Sequence, residues 1–144
     1  MNEINNNYIK SILYEISKSI ILPKYQNLKT EDIKIKNKII TEGCHSNIWI
    51  VKNNKIMTHP SNTDILKGVT RTSLKLIIKK FNLKLSEKSF TKKQLLDSDE
   101  VFLTSSGSFV TPVIKVDSKL INNGKIGIIT SQLANLYFQS FSDE

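Results

Sequence analysis

A glycine before a helix start, a run of small hydroxyl residues and a strand-end carboxylate are the groups here whose types and spacing can do chemistry. Gly68-Val69-Thr70 opens a helical pattern over residues 70–81, with Leu74, Ile77, Ile78 and Phe81 on its apolar stripe. A helix N-terminus presents unpaired N–H groups and the positive end of a dipole, which suits a phosphate. The same three residues also read as an ordinary helix cap in which Thr70 satisfies the backbone. Thr104-Ser105-Ser106-Gly107-Ser108 leaves a strand; such a run reads as a solvent turn or as a second phosphate contact. Glu42, within Thr41-Glu42-Gly43, on its own reads as a surface glutamate. Among the lysines nothing intrinsic marks one as a nucleophile, because activation comes from burial and neighbours.

The elements that must position these groups alternate along the chain. A helix over residues 11–21 stops before Pro23, whose ring disfavours helical geometry in the preceding residue. Strands over 32–35 and 38–41 pair about Lys36-Asn37, and strands over 47–52 and 55–58 pair about Asn53-Asn54. After the 70–81 helix come a strand at 84–88, a short helix at 91–96 and strands at 101–104 and 109–116. Asp117-Ser118 turns the chain into a last short strand, and a helix over 131–141 closes it. Intermixed strands, hairpins and helices predict a mixed α/β domain rather than a doubly wound parallel sheet.

A length of 144 residues with 39% hydrophobic content predicts one domain with its own core. The net charge of +8 comes from 21 basic residues, of which Arg71 is the single arginine, and the lysines are dispersed from Lys10 to Lys125. Arginine is the residue favoured for bidentate contacts to phosphates and base edges, so its scarcity argues against a nucleic-acid partner. The excess of Lys, Asn and Ile, with Ala134 the only alanine, reads as coding bias and solvated faces. Cys44 is alone and cannot form an internal disulfide, and no leader pattern opens the chain, so a cytoplasmic location is expected. Residues 8–22 are interrupted by Lys10, Glu15 and Lys18, which excludes a membrane span there, and no metal site is expected. No internal repeat is present, and residues 1–9, with Asn5-Asn6-Asn7, read as a flexible start.

Thr41-Glu42-Gly43-Cys44-His45-Ser46-Asn47, Thr58-His59-Pro60 and Ile65-Leu66-Lys67-Gly68-Val69-Thr70-Arg71 together resemble the cofactor face of the class IV, pyridoxal-phosphate-dependent aminotransferases. The D-amino acid branch is the nearer match, with branched-chain aminotransferases next. The resemblance implies the mixed-sheet, barrel-like C-terminal domain of the D-amino acid aminotransferase-like fold over residues 10–144. It implies that Val69, Thr70, Ser105 and Ser106 hold the cofactor phosphate, that Leu66 packs on a ring face, and that Glu42 keeps the pyridine nitrogen protonated. Counting back from Glu42 places the family's cofactor lysine at Lys10, within Tyr8-Ile9-Lys10-Ser11, as Schiff-base lysine and proton carrier. Cys44 and His45 depart from the run of serines typical of the D-amino acid enzymes. His59 is expected to pack structurally within its Thr-His-Pro motif.

In such enzymes these motifs lie past the middle of the polypeptide, whereas Met1 here precedes Lys10 by few residues. A truncated or split form is therefore expected, without the N-terminal domain that brings the phosphate-gripping arginine and the groups that catch the substrate carboxylate. The implied activity is amino transfer from a D-amino acid such as D-alanine to a 2-oxo acid, weak or absent in the chain alone. A separately encoded N-terminal half and a homodimer are the partners implied. The alternatives are a non-enzymatic remnant, a branched-chain aminotransferase fragment and, last, a basic nucleic-acid-binding module.

Overall fold

The computed structural model of the protein describes residues 25–142. The expected flexible start over 1–9, the helix over 11–21 and Lys10 lie outside the described residues. Within them the order is β1 (Gln26–Leu28), β2 (Ile33–Lys36), β3 (Ile39–Gly43), β4 (Asn47–Lys52), β5 (Lys55–Thr58) and α1 (Val69–Lys80). There follow β6 (Leu85–Glu87), β7 (Phe90–Thr91), α2 (Lys92–Leu96), β8 (Glu100–Ser105), β9 (Phe109–Val116), β10 (Lys119–Leu120) and α3 (Ile128–Ser142).

Asparagine makes the hairpins. Asn53 and Asn54 at φ 51° and 63° turn β4 into β5, a conformation whose twist matches that of the strands and that Asn tolerates better than most residues. The β2–β3 hairpin turns at Asn37 and Lys38, φ 52° and 68°, one residue later than expected. Asp117, at φ 52°, turns β9 into β10. Its carboxylate accepts from the Thr30 hydroxyl at 2.6 Å and the Thr30 N–H at 2.8 Å, tying the turn to the segment after β1. The Thr30 hydroxyl and, after it, Lys92 hold the Asp117 carboxyl down to about 2.

The large sheet runs β1-β9-β8-β4-β5-β6, with β10 on β9, and a small sheet runs β2-β3-β7. Two pairings are parallel, β1 with β9 and β5 with β6; the others are antiparallel. The mixed α/β architecture is thus as expected. The path of the large sheet ends at β1 and β6, so it is open, and no closed barrel forms among the described residues.

Strand alternation sends side chains to two cores. Ile48 and Ile50 of β4 and Val101 and Leu103 of β8 join Ile40, Phe90 and Leu95 in a cluster with the small sheet and α2. Trp49, Val51 and Phe102 point the other way, toward Leu74 and Ile78 of α1 and Ile129 and Leu133 of α3. The sheet is therefore a middle layer, and both of its central strands are buried on both faces. The start of α3 is capped from a distance: the buried Glu100 carboxylate on β8 accepts from Ile129 N–H at 3.2 Å and Thr130 N–H at 2.7 Å. Gly127 is required beside it, because the Glu100 side chain occupies the space a Cβ would take.

Candidate functional site

Helix α1 begins at Gly68, whose extended backbone forms the N-cap without any side-chain cap. Its first-turn N–H groups therefore remain available, and Gly68, Val69 and Thr70 line a cleft of about 470 Å³. Thr70 does not cap the helix: its hydroxyl donates to the Ser105 carbonyl at 3.0 Å, stitching the helix start to the β8–β9 turn. Ser105 in turn accepts from Ser108 N–H at 3.2 Å, closing that turn, and Ser106 lines the same cleft. Glycine is needed at position 68 because a Cβ there would come within 2.7 Å of Asn47 Oδ1. Asn47 uses its amide to donate to the Leu66 carbonyl at 2.8 Å, so β4 holds the segment leading into the helix.

Behind this end sits Arg71, 1% exposed. It donates to Ser61 Oγ at 2.8 Å, to the His59 carbonyl at 2.5 Å and to Glu87 at 3.2 Å, and its guanidinium lies 5.9 Å from the centroid of the Trp49 ring. Trp49 stacks on Phe102 at 5.5 Å and donates Nε1–H to Thr104 Oγ1 at 2.9 Å. Glu87 also accepts from Lys75 at 2.8 Å; that bond first, and Arg71 after it, holds the Glu87 carboxyl below its usual value. His59 is buried and packs structurally, with Nδ1 2.9 Å from the Pro60 carbonyl.

A second part of the cleft lining is built on Glu42. Its side chain is 11% exposed; Oε1 accepts from Leu66 N–H at 2.7 Å, and Oε2 lies 3.4 Å from Lys34 Nζ. Leu66 is thus clamped at its N–H and its carbonyl, while its side chain, 77% exposed, stands in the cleft wall. The turn after β3 is closed by Gly43 N–H to Ser46 O at 2.9 Å and Cys44 N–H to Asp32 O at 3.1 Å. Cys44 and His45 are exposed, and with Ser46 they separate the main cleft from a neighbouring one of about 230 Å³.

Glu42, Leu66, Val69, Thr70, Ser105 and Ser106, drawn from three separate stretches of sequence, all line the one cleft. Lys10 lies outside the described residues. Asn47, Arg71 and Thr104 are structural partners to which sequence reading assigned no role, although each stood within one of the quoted motifs. Uncapped N–H groups beside a hydroxyl-rich turn suit a phosphate, and an anchored carboxylate at the far end suits a protonated ring nitrogen. Among the described residues no group of three or more His, Cys, Asp or Glu is placed to hold a metal, and no helix is long and apolar enough to cross a membrane.

Comparison with known proteins points the same way. The family described as Amino-transferase class IV matches residues 33–116. D-alanine aminotransferase of Staphylococcus aureus (strain N315) is 44% identical over 103 residues, covering 72% of this chain and 36% of that protein. A probable branched-chain-amino-acid aminotransferase of Aquifex aeolicus is 40% identical over 102 residues, covering 70% of this chain and 33% of that protein. Among solved structures, the branched-chain aminotransferase from the thermophilic archaeon Thermoproteus uzoniensis with norvaline superposes with a TM-score of 0.68 at 31% identity, over 74% of this chain and 35% of that one. The chain spans about a third of the length of the curated relatives it matches.

Proposed function

Because this chain belongs to the class IV aminotransferase family, we propose that its cleft binds pyridoxal 5'-phosphate and forms the cofactor wall of a D-amino acid aminotransferase. The reaction assigned to it moves an amino group from a D-amino acid such as D-alanine to a 2-oxo acid. The observation that carries this reading is the meeting of an uncapped helix start, a hydroxyl-rich turn and an anchored carboxylate in one cleft. The D-alanine assignment rests on the 44% identity to the Staphylococcus aureus enzyme.

When bound, pyridoxal phosphate supplies a ring that delocalises the electron pair left by loss of a substrate Cα proton. The first-turn N–H groups of Val69 and Thr70, with Ser105 and Ser106, hold the phosphate. Leu66 covers a ring face and keeps water from it. Glu42, fixed by Leu66 N–H, holds a proton at the pyridine nitrogen. Lys10 would hold the cofactor through its side-chain amine and, once the substrate amine has displaced it, would carry the proton between Cα and C4′ as general base and acid. Substrate capture is assigned to the part of such an enzyme that lies beyond the region matched to the relatives, with a homodimer as the working assembly.

The branched-chain reading draws on the 40% identity to the Aquifex aeolicus protein, and one assay separates it. The full chain is mixed with a separately expressed N-terminal half of a D-alanine aminotransferase, and amino transfer is followed from D-alanine and from branched-chain amino acids. Transfer from D-alanine is expected; transfer from the branched-chain substrates alone favours the second reading, and none from either sinks both. Borohydride reduction of the loaded chain followed by peptide mapping is expected to find the label on Lys10 and to lose it in Lys10→Ala. A label carried unchanged by the variant removes Lys10 from the proposal.

A further inference from the structure

The chain carries 21 basic residues and one arginine, and that arginine is buried at 1% exposure in the first turn of α1. A lysine-rich surface has no use for the planar fork of a guanidinium; the interior at Arg71 has. Two of its nitrogens reach separate acceptors, one on Ser61 and the other on the His59 carbonyl and Glu87. The guanidinium carbon lies over the Trp49 ring, 5.9 Å from its centroid. The single ammonium of a lysine cannot make divergent contacts from two nitrogens while stacking on a ring.

Arg71 is not part of the cleft wall, yet its contacts lead to both halves of the phosphate end. In one direction it follows Thr70, whose hydroxyl donates to the Ser105 carbonyl. In the other its cation lies over the ring of Trp49, which donates to Thr104, the residue before Ser105. The two routes meet at the β8–β9 turn and close a ring of contacts through α1, β4 and β8. We infer that Arg71 is a positioning residue that sets the N–H groups opening α1 against the Ser105-Ser106 turn, and so fixes the spacing of the phosphate cradle. This rests on the cofactor reading above and adds to it a residue that touches no ligand.

The test uses the full chain and calorimetric titration with pyridoxamine 5'-phosphate and with pyridoxamine, which differ only in the phosphate. Neither carries an aldehyde that would react with the surface lysines. The parent chain is expected to prefer the phosphorylated ligand. Arg71→Lys, which keeps the charge and loses the fork, is expected to lose about tenfold of that preference, with pyridoxamine affinity held within about twofold. A preference equal to the parent's overturns the inference and leaves the cofactor reading standing. An equal fall for both ligands also overturns it, because that is a general loss of structure. A parent chain with no preference overturns the cofactor reading itself, and the inference with it. Trp49→Phe provides the second variant: it keeps a ring under the guanidinium and cuts the link to Thr104. A partial loss of the preference is expected there, and an unchanged preference overturns the inference even if Arg71→Lys does not fold.

Discussion

The two ends of the cleft are built on different principles. At the proposed phosphate end, Thr70, Arg71 and Thr104 are buried and bonded within the framework of α1, β4 and β8, behind an exposed Val69 and Ser106. At the ring end, Glu42 is buried, but its lysine partner is 56% exposed, the Leu66 side chain stands in the open, and Cys44 and His45 face solvent. Geometry at the first end comes with the fold, so altering it alters stability. Chemistry at the second hangs on a few side chains that the fold does not need. In the proposed function, the phosphate contacts are backed by buried residues of α1, β4 and β8, whereas Glu42 and Leu66 are held by a few bonds at a strand end and a loop.

Breaking the framework should have the largest effect. Trp49→Ala removes a fully buried ring, its stack on Phe102 and its bond to Thr104; urea unfolding should show a loss of about 3–5 kcal/mol. A loss under about 1 kcal/mol would mean the phosphate end is not framework at all. Glu42→Gln should do the reverse. The amide oxygen still accepts from Leu66 N–H, and the lost ion pair involves a half-exposed lysine, so stability should change by less than about 1 kcal/mol. Turnover of the chain mixed with the N-terminal half of a D-alanine aminotransferase, as in the assay proposed above, should meanwhile fall roughly 10²-fold. If this variant unfolds as readily as Trp49→Ala, the two ends are one structure and the distinction collapses. Lys34→Met should be the mildest: stability within about 0.5 kcal/mol of the parent, with affinity for pyridoxamine 5'-phosphate nearly unchanged by calorimetry. A large loss of affinity there would make Lys34 a functional partner of Glu42.

Local signals made much of this legible in the chain. Asn53-Asn54 marked the β4–β5 hairpin because two left-handed asparagines leave few other choices, and the Leu74, Ile77, Ile78 stripe marked α1. What escaped depends on distant partners. β1 and β7 are three and two residues long and exist only because β9 and β3 pair with them. Helix α3 starts at Ile128 rather than residue 131, because its cap is Glu100 on β8 and no local cap residue announces it. The cleft-lining residues were reached through their motifs, whereas Arg71 and Thr104 matter through contacts between strands and a helix that spacing along the chain cannot display.

Parallel pairing of β1 with β9, and the bond from Thr30 to Asp117 across 87 residues, set an order of assembly. Gln26–Leu28 leaves the ribosome long before its partner, and at about 5–20 residues per second the wait is roughly 4–17 s. The β4–β5 and β8–β9 hairpins can form as they emerge, but the margin of the sheet at β1 cannot close until β9 has been made. Slowed translation between those segments would lengthen the time during which an unpaired strand is open to the wrong partner.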